Sequence, residues 1–246
     1  MSMVSDRWMS DRGLAALTST DGPPTRTDWA EQVIRNEILT GTLRPGQRLK
    51  MAELQERYPG FSPTPLREAL SRLSGTGLVE FMPNRGIRVA PSSLEELRDV
   101  YANRLLLESV AFECSVEMRD STWQDEVRLA LDNFEALSHA AAHQETVTAA
   151  ALMAWEDAHR RYHFAILSRC GSPWLLRLLE LLYDQSVRYR YLTIQADPDF
   201  ASIAQRHRVL TKAVFAADKS RGLGALKRHA ELTVASTEKL DGEAHK

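Results

Sequence analysis

The chain has 246 residues, a formal charge of −2, 43% hydrophobic residues and 26% charged ones, which excludes wholesale disorder and fits two modest domains. No apolar run reaches the ~18 residues of a membrane span, because even the Leu-rich stretch 175–182 carries Arg177 and Glu180. The first residues lack the apolar segment of a secretion signal. Two cysteines, Cys114 and Cys170, are too few for a disulfide framework or a thiolate zinc cluster, so they read as core residues of a cytoplasmic protein.

Residues 1–26 are polar, end near Gly22-Pro-Pro-Thr and read as a flexible tail. A first helix is predicted from Trp29 to Leu39, with Asp28 as its cap and Gly41 as its stop. A connector with a Pro45-Gly46 turn leads to a short helix over 51–58, which Pro59-Gly60 ends. Ser62-Pro-Thr-Pro then opens a helix whose inward face is Leu66, Ala69, Leu70 and Leu73. Two β-type runs, 78–82 and 86–90, flank Pro83-Asn84-Arg85 and read as a hairpin. That order of three helices and a hairpin is a winged helix-turn-helix, predicted over residues 27–91.

From Leu94 onward only helical periodicity remains, in six segments with breaks near 120, 171, 197 and 222. Six helices with short connections predict an all-α antiparallel bundle over residues 92–240, making the whole chain mainly α. Charge divides along the same line. Residues 31–90 hold nine Lys/Arg and six Asp/Glu, whereas 91–246 hold nineteen and twenty-three, so a basic front precedes an acidic back.

On the third helix, burying the apolar face leaves Ser62, Thr64, Arg67 and Ser71 facing outward, and the hairpin tip offers Asn84, Arg85 and Gly86. Hydroxyls and free N–H groups at a helix start suit phosphate oxygens, and arginine can grip guanine with two hydrogen bonds. These residues are the expected contacts with double-stranded DNA. The run Ile38-Leu-Thr-Gly-Thr-Leu-Arg-Pro-Gly-Gln-Arg-Leu, the segment Ser62-Pro-Thr-Pro-Leu-Arg-Glu-Ala-Leu and the tip Pro83-Asn-Arg-Gly resemble the GntR family of bacterial transcription regulators. The resemblance implies operator contacts from Ser62, Thr64, Arg67 and Gly86. Pro63 stands where some relatives carry a further DNA-contacting arginine.

Seven histidines are present. His139 and His143 sit among Ala, Gln and Glu near a helix end and read as solvated. His159 and His163 have the same i, i+4 spacing on an amphipathic helix beside Tyr162, Ile166 and Leu167, so both rings leave one face, where they can share a metal ion. The region around Arg104-Leu-Leu-Leu-Glu108, Tyr162-His163, Cys170-Gly-Ser-Pro-Trp-Leu-Leu, His207-Arg-Val-Leu and Leu226-Lys-Arg-His229 resembles the all-helical FCD ligand-binding domain of the FadR-type subgroup. That resemblance implies a divalent metal held by His163, His207 and His229, with His159 at the position of the subgroup's usual aspartate. His159 either completes a four-histidine set or turns away to pack on Trp155.

Four imidazoles favour zinc, with nickel the alternative, over magnesium or calcium. They leave the full ionic charge for an anionic effector, toward which Arg104, Arg188 and Arg190 are the candidate anchors. Histidines of ordinary pKa would release the ion below about pH 6. The expected protein is therefore a homodimeric regulator, read as a repressor, that binds an inverted-repeat operator under control of a small carboxylate. It has no catalytic residue and no membrane partner. A helical metalloenzyme and a metal-independent sensor are the alternatives.

Overall fold

A computed structural model describes residues 24–216 and 218–244; the expected tail lies outside them except for residues 24–26. Two compact units emerge, residues 24–35 with 48–88, and residues 36–47 with 89–244.

Helix α1 (Arg26–Leu39) belongs to the first unit as far as Arg35. That unit continues with β1 (Arg48–Leu49), α2 (Met51–Arg57), α3 (Pro63–Gly75), β2 (Val79–Met82) and β3 (Gly86–Val89). Spacing of three and four residues puts Leu66, Ala69, Leu70 and Leu73 on one face of α3, and all four are fully buried with Ala30, Ile34 and Leu78. Ion pairs brace α1 against α3: Arg72 reaches Asp28 at 2.7 Å and Glu31 at 3.4 Å, and the Thr27 hydroxyl donates to Glu68 at 2.7 Å. Proline at the first helical position of α3 removes a donor that has no partner there.

The expected hairpin is present, and the expected connector over 41–49 ends in a further strand. The sheet order is β1-β3-β2, with β1 antiparallel to β3 and Arg48 opposite Arg88. At the tip between β2 and β3, Asn84 (φ 59°) and Gly86 (φ 88°) take the left-handed conformation that reverses the chain.

The second unit contains the six predicted helices: α4 (Leu94–Glu117), α5 (Ser121–Ala142), α6 (Ala149–Leu167), α7 (Pro173–Ala196), α8 (Phe200–Phe215) and α9 (Lys219–Ala244). Side-chain caps explain most of their starts. Ser93, Asp120, Thr148, Ser172 and Asp199 each accept a hydrogen bond from a backbone N–H three residues on. Helix α9 runs through Gly222, which the sequence reading takes as a break. A Cβ there would lie 2.4 Å from the Phe112 ring, so glycine serves close packing of α9 on α4. The core is aromatic-rich, with Trp123, Phe134, Trp155, Tyr162, Tyr183 and Phe200 fully enclosed. Among the described residues, no helix is long and apolar enough to cross a membrane.

Candidate functional site

In the first unit, Ser62, Thr64, Arg67 and Ser71 on and just before α3, and Asn84, Arg85 and Gly86 at the hairpin tip, are all exposed. Arg67, Arg85 and Gly86 line one cleft of about 580 Å³; Ser62, Thr64, Ser71 and Asn84 lie outside that lining. Arg48, Lys50 and Phe81 also line it and were not expected from sequence. Arg48 opens, and Lys50 follows, a two-residue strand that has no periodicity to detect. Partnering separates the cleft arginines from the rest of the unit. Arg72 and Arg88 pair with carboxylates, whereas Arg48, Arg67 and Arg85 form no ion pair among the described residues. Unpaired guanidiniums from β1, α3 and the hairpin tip around one cleft provide what phosphate oxygens and guanine edges require.

In the second unit, α6, α8 and α9 bring His159, His163, His207 and His229 together, with one ligand atom of each within 4.8 Å of the others. The Nε2 atoms of His159 and His207 are 2.8 Å apart, and that of His163 lies 3.1 and 3.2 Å from them. Surrounding hydrogen bonds decide where the ring protons sit. His207 Nδ1 is 2.6 Å from the Ile203 carbonyl, which can only accept, so Nδ1 carries the hydrogen. Tyr183 donates its hydroxyl hydrogen to Glu156 at 3.0 Å, so at 2.9 Å it accepts from His159 Nδ1. Both rings then present bare Nε2 lone pairs to each other.

Two lone pairs at 2.8 Å repel, and a cation among them relieves that repulsion. A proton is disfavoured there. Burial, followed by neighbouring histidines and arginines, holds His159, His163 and His229 well below the usual imidazole range. Burial also brings His207 down to about 3. Nitrogens about 2.0–2.1 Å from a common zinc ion would stand roughly 2.9–3.4 Å apart, close to the spacing found. Among the described residues the Nδ1 of His229 is buried without a partner, a second sign that the donor set suits a metal. Trp155 stacks on His159 with ring centroids 5.4 Å apart. The two sequence options for His159 are therefore compatible: the ring packs on tryptophan while its Nε2 faces the cluster.

The histidines open on a cavity of about 440 Å³ that Arg104 and Arg190 also line. Arg104 donates to Glu108 at 2.6 and 3.1 Å and to Ser186 at 2.6 Å. Arg190 spans both oxygens of Glu156 at 2.6 and 3.3 Å and reaches Tyr101 at 3.3 Å. Arg188 corrects the sequence reading. Residues two apart leave a helix on different faces, and Arg188 donates to the Ala90 and Pro91 carbonyls at 2.8 and 2.7 Å, away from the cavity lining. Sequence reasoning missed Glu156 and Tyr183, which fix the tautomer and hold Arg190, and it missed Arg206 on the cavity wall. Glu156, three residues before His159, was the one local signal. His139 and His143 are exposed, as their surroundings suggest, and both cysteines are free, with Cys170 buried and Cys114 half-buried.

Comparison with known proteins matches residues 27–89 to the bacterial regulatory proteins of the gntR family, and residues 99–232 to the FCD domain. BphR of Paraburkholderia xenovorans (strain LB400), an HTH-type transcriptional regulator, is 33% identical over 204 residues, 83% of this chain and 82% of its own length. GlaR of Escherichia coli (strain K12), an HTH-type transcriptional repressor, is 31% identical over 202 residues, 80% of this chain and 88% of its own. The solved structure of E. coli McbR/YncC shares the fold with a TM-score of 0.71 at 21% identity, covering 88% of this chain and 98% of that one.

Proposed function

The chain belongs to the GntR family of bacterial regulatory proteins and carries an FCD domain, and from that premise we propose a homodimeric, cytoplasmic repressor whose operator affinity is set by a small organic acid bound beside a histidine-held divalent ion. Its families and relatives are transcription regulators rather than enzymes. In this reading residues 27–91 read DNA and residues 92–240 hold metal, effector and dimer contact. The repressor sense follows the E. coli relative's name.

The observation that carries the proposal is the facing bare Nε2 lone pairs of His159 and His207, with the Nε2 of His163 beside them, on a cavity where burial disfavours protons. His159, His163, His207 and His229 would hold the ion, and neutral imidazoles suit zinc or nickel. Bound there, the ion supplies a positive centre for an anionic ligand. Phe134 and Trp155 pack on the rings and keep them in place. Arg104 and Arg190, held by Glu108 and Glu156, shape the remainder of the wall.

Dimerisation is supported by exposed apolar residues on two neighbouring helices. Leu106 and Val110 on α4, and Trp174, Leu178 and Leu181 on α7, are between 38% and 70% exposed. Arg104 meets Ser186 and Tyr101 meets Arg190, so the helices run antiparallel and Leu181 stands level with Leu106 and Val110. Such a face suits a second copy, which would set two winged helices on an inverted repeat.

Fluorescence anisotropy of the metal-loaded full chain on a duplex from its own upstream region, beside a scrambled duplex, tests the DNA reading. Arg67→Ala should weaken specific binding by about 1–3 kcal/mol and relax preference at one base pair. Equal affinity of variant and parent would remove Arg67 from the reading surface. Equal affinity of the parent for both duplexes would remove the operator.

A further inference from the structure

Three guanidiniums line the cavity beside the histidines, and two are already neutralised: Arg104 by Glu108 and Arg190 by Glu156. The third, Arg206, precedes His207 on α8. Among the described residues it forms no ion pair within 4 Å and no hydrogen bond, and its Nε is buried without a partner. The carboxylate that acts on it, Asp199, stands beyond ion-pair distance and accepts from the Ser202 N–H at 2.9 Å as the cap of α8. Lys239, the cavity's other cation, is exposed and has interactions of its own.

A half-buried guanidinium with an unsatisfied buried nitrogen is costly to keep, unless a ligand supplies the acceptor. Successive helical residues are rotated by about 100°. The Arg206 side chain therefore leaves α8 along a different wall from the His207 ring. A single carboxylate on the histidine-held ion would leave Arg206 unmet.

The geometry points to a dianionic effector, a small dicarboxylate with one carboxylate at the histidine-held ion and the other gripped by Arg206. This rests on the metal-and-effector reading above and adds the requirement for the second charge. Arg206 is then the residue that selects dicarboxylates over monocarboxylates. An arginine–carboxylate pair is charge-assisted and often bidentate, which is the source of the selectivity.

The test is calorimetric titration of zinc-loaded full-length protein, with zinc content measured first. Succinate, glutarate and adipate are each compared with the monocarboxylate of equal carbon number. For at least one pair the parent should prefer the dicarboxylate by about tenfold or more. Arg206→Gln should abolish that preference while leaving zinc content, monocarboxylate affinity and unfolding temperature unchanged, and Arg206→Lys should keep part of it. An Arg206→Gln protein that still prefers the dicarboxylate overturns the inference, as does a zinc-loaded parent that treats each pair alike or binds none. A parent that takes up no zinc overturns the metal reading beneath the inference, and the inference with it.

Discussion

Arg67 and Arg190 bear the same guanidinium in opposite settings. On the winged-helix unit, Arg67 is exposed, borders an open cleft and has no carboxylate partner among the described residues. In the helical unit, Arg190 is buried and held by both oxygens of Glu156, a serine and a tyrosine. Water solvates the first, so that surface can change without disturbing the fold. Burial shields the second from bulk solvent, and its charge is tolerable only inside a complete network. Surface charge and stability are separable in one unit and coupled in the other.

The largest expected effect is on the helical unit stripped of any metal. Its histidines are kept neutral by burial, so between pH 6.5 and about 3 the unfolded chain binds protons that folded His207 does not. Stability therefore falls as pH drops through that window, by about 1.4 kcal/mol per pH unit for each such histidine. Chelated protein should lose unfolding temperature steeply from pH 7 to pH 5. Zinc-loaded protein should hold it to lower pH than the value near 6 that ordinary imidazoles would give. A flat profile for the chelated form would contradict the burial argument.

Next in size is Glu156→Ala, which strands Arg190 and removes the acceptor of the Tyr183 hydroxyl. Urea denaturation should show a loss of about 3–5 kcal/mol, against less than about 0.5 kcal/mol for Arg67→Ala. Similar losses for the two variants would erase the contrast between the units. The smallest effect is local. Hydrogen bonds from the Thr25 backbone and hydroxyl, then from Arg72, lower the Asp28 carboxyl to about 2. A depressed carboxyl contributes above its unfolded value of 3.8 and loses that contribution as pH falls through 2. An NMR titration of its carboxyl carbon should place the midpoint near 2; one near 3.8 would show that these bonds do not persist in solution.

What the sequence made legible follows from the range of each interaction. The apolar face of α3, the hairpin and the i, i+4 histidines are local patterns, and each folds as its spacing implies. Strand β1 has two residues and no period, so Arg48 and Lys50 escaped notice. The Glu156–Arg190 pair joins residues 34 positions apart, and nothing near either one signals the other. Gly222 misled in the other direction. Glycine costs a helix about 1 kcal/mol, yet here it admits the Phe112 ring against α9, and packing prevails over propensity.

The central claim is that the four clustered histidines hold one divalent ion. Metal analysis with native mass spectrometry of the full chain, purified without chelator beside His163→Ala and His207→Ala, tests it most directly. The account predicts one zinc or nickel ion per chain in the parent and almost none in either variant. Equal metal content in all three proteins would contradict it.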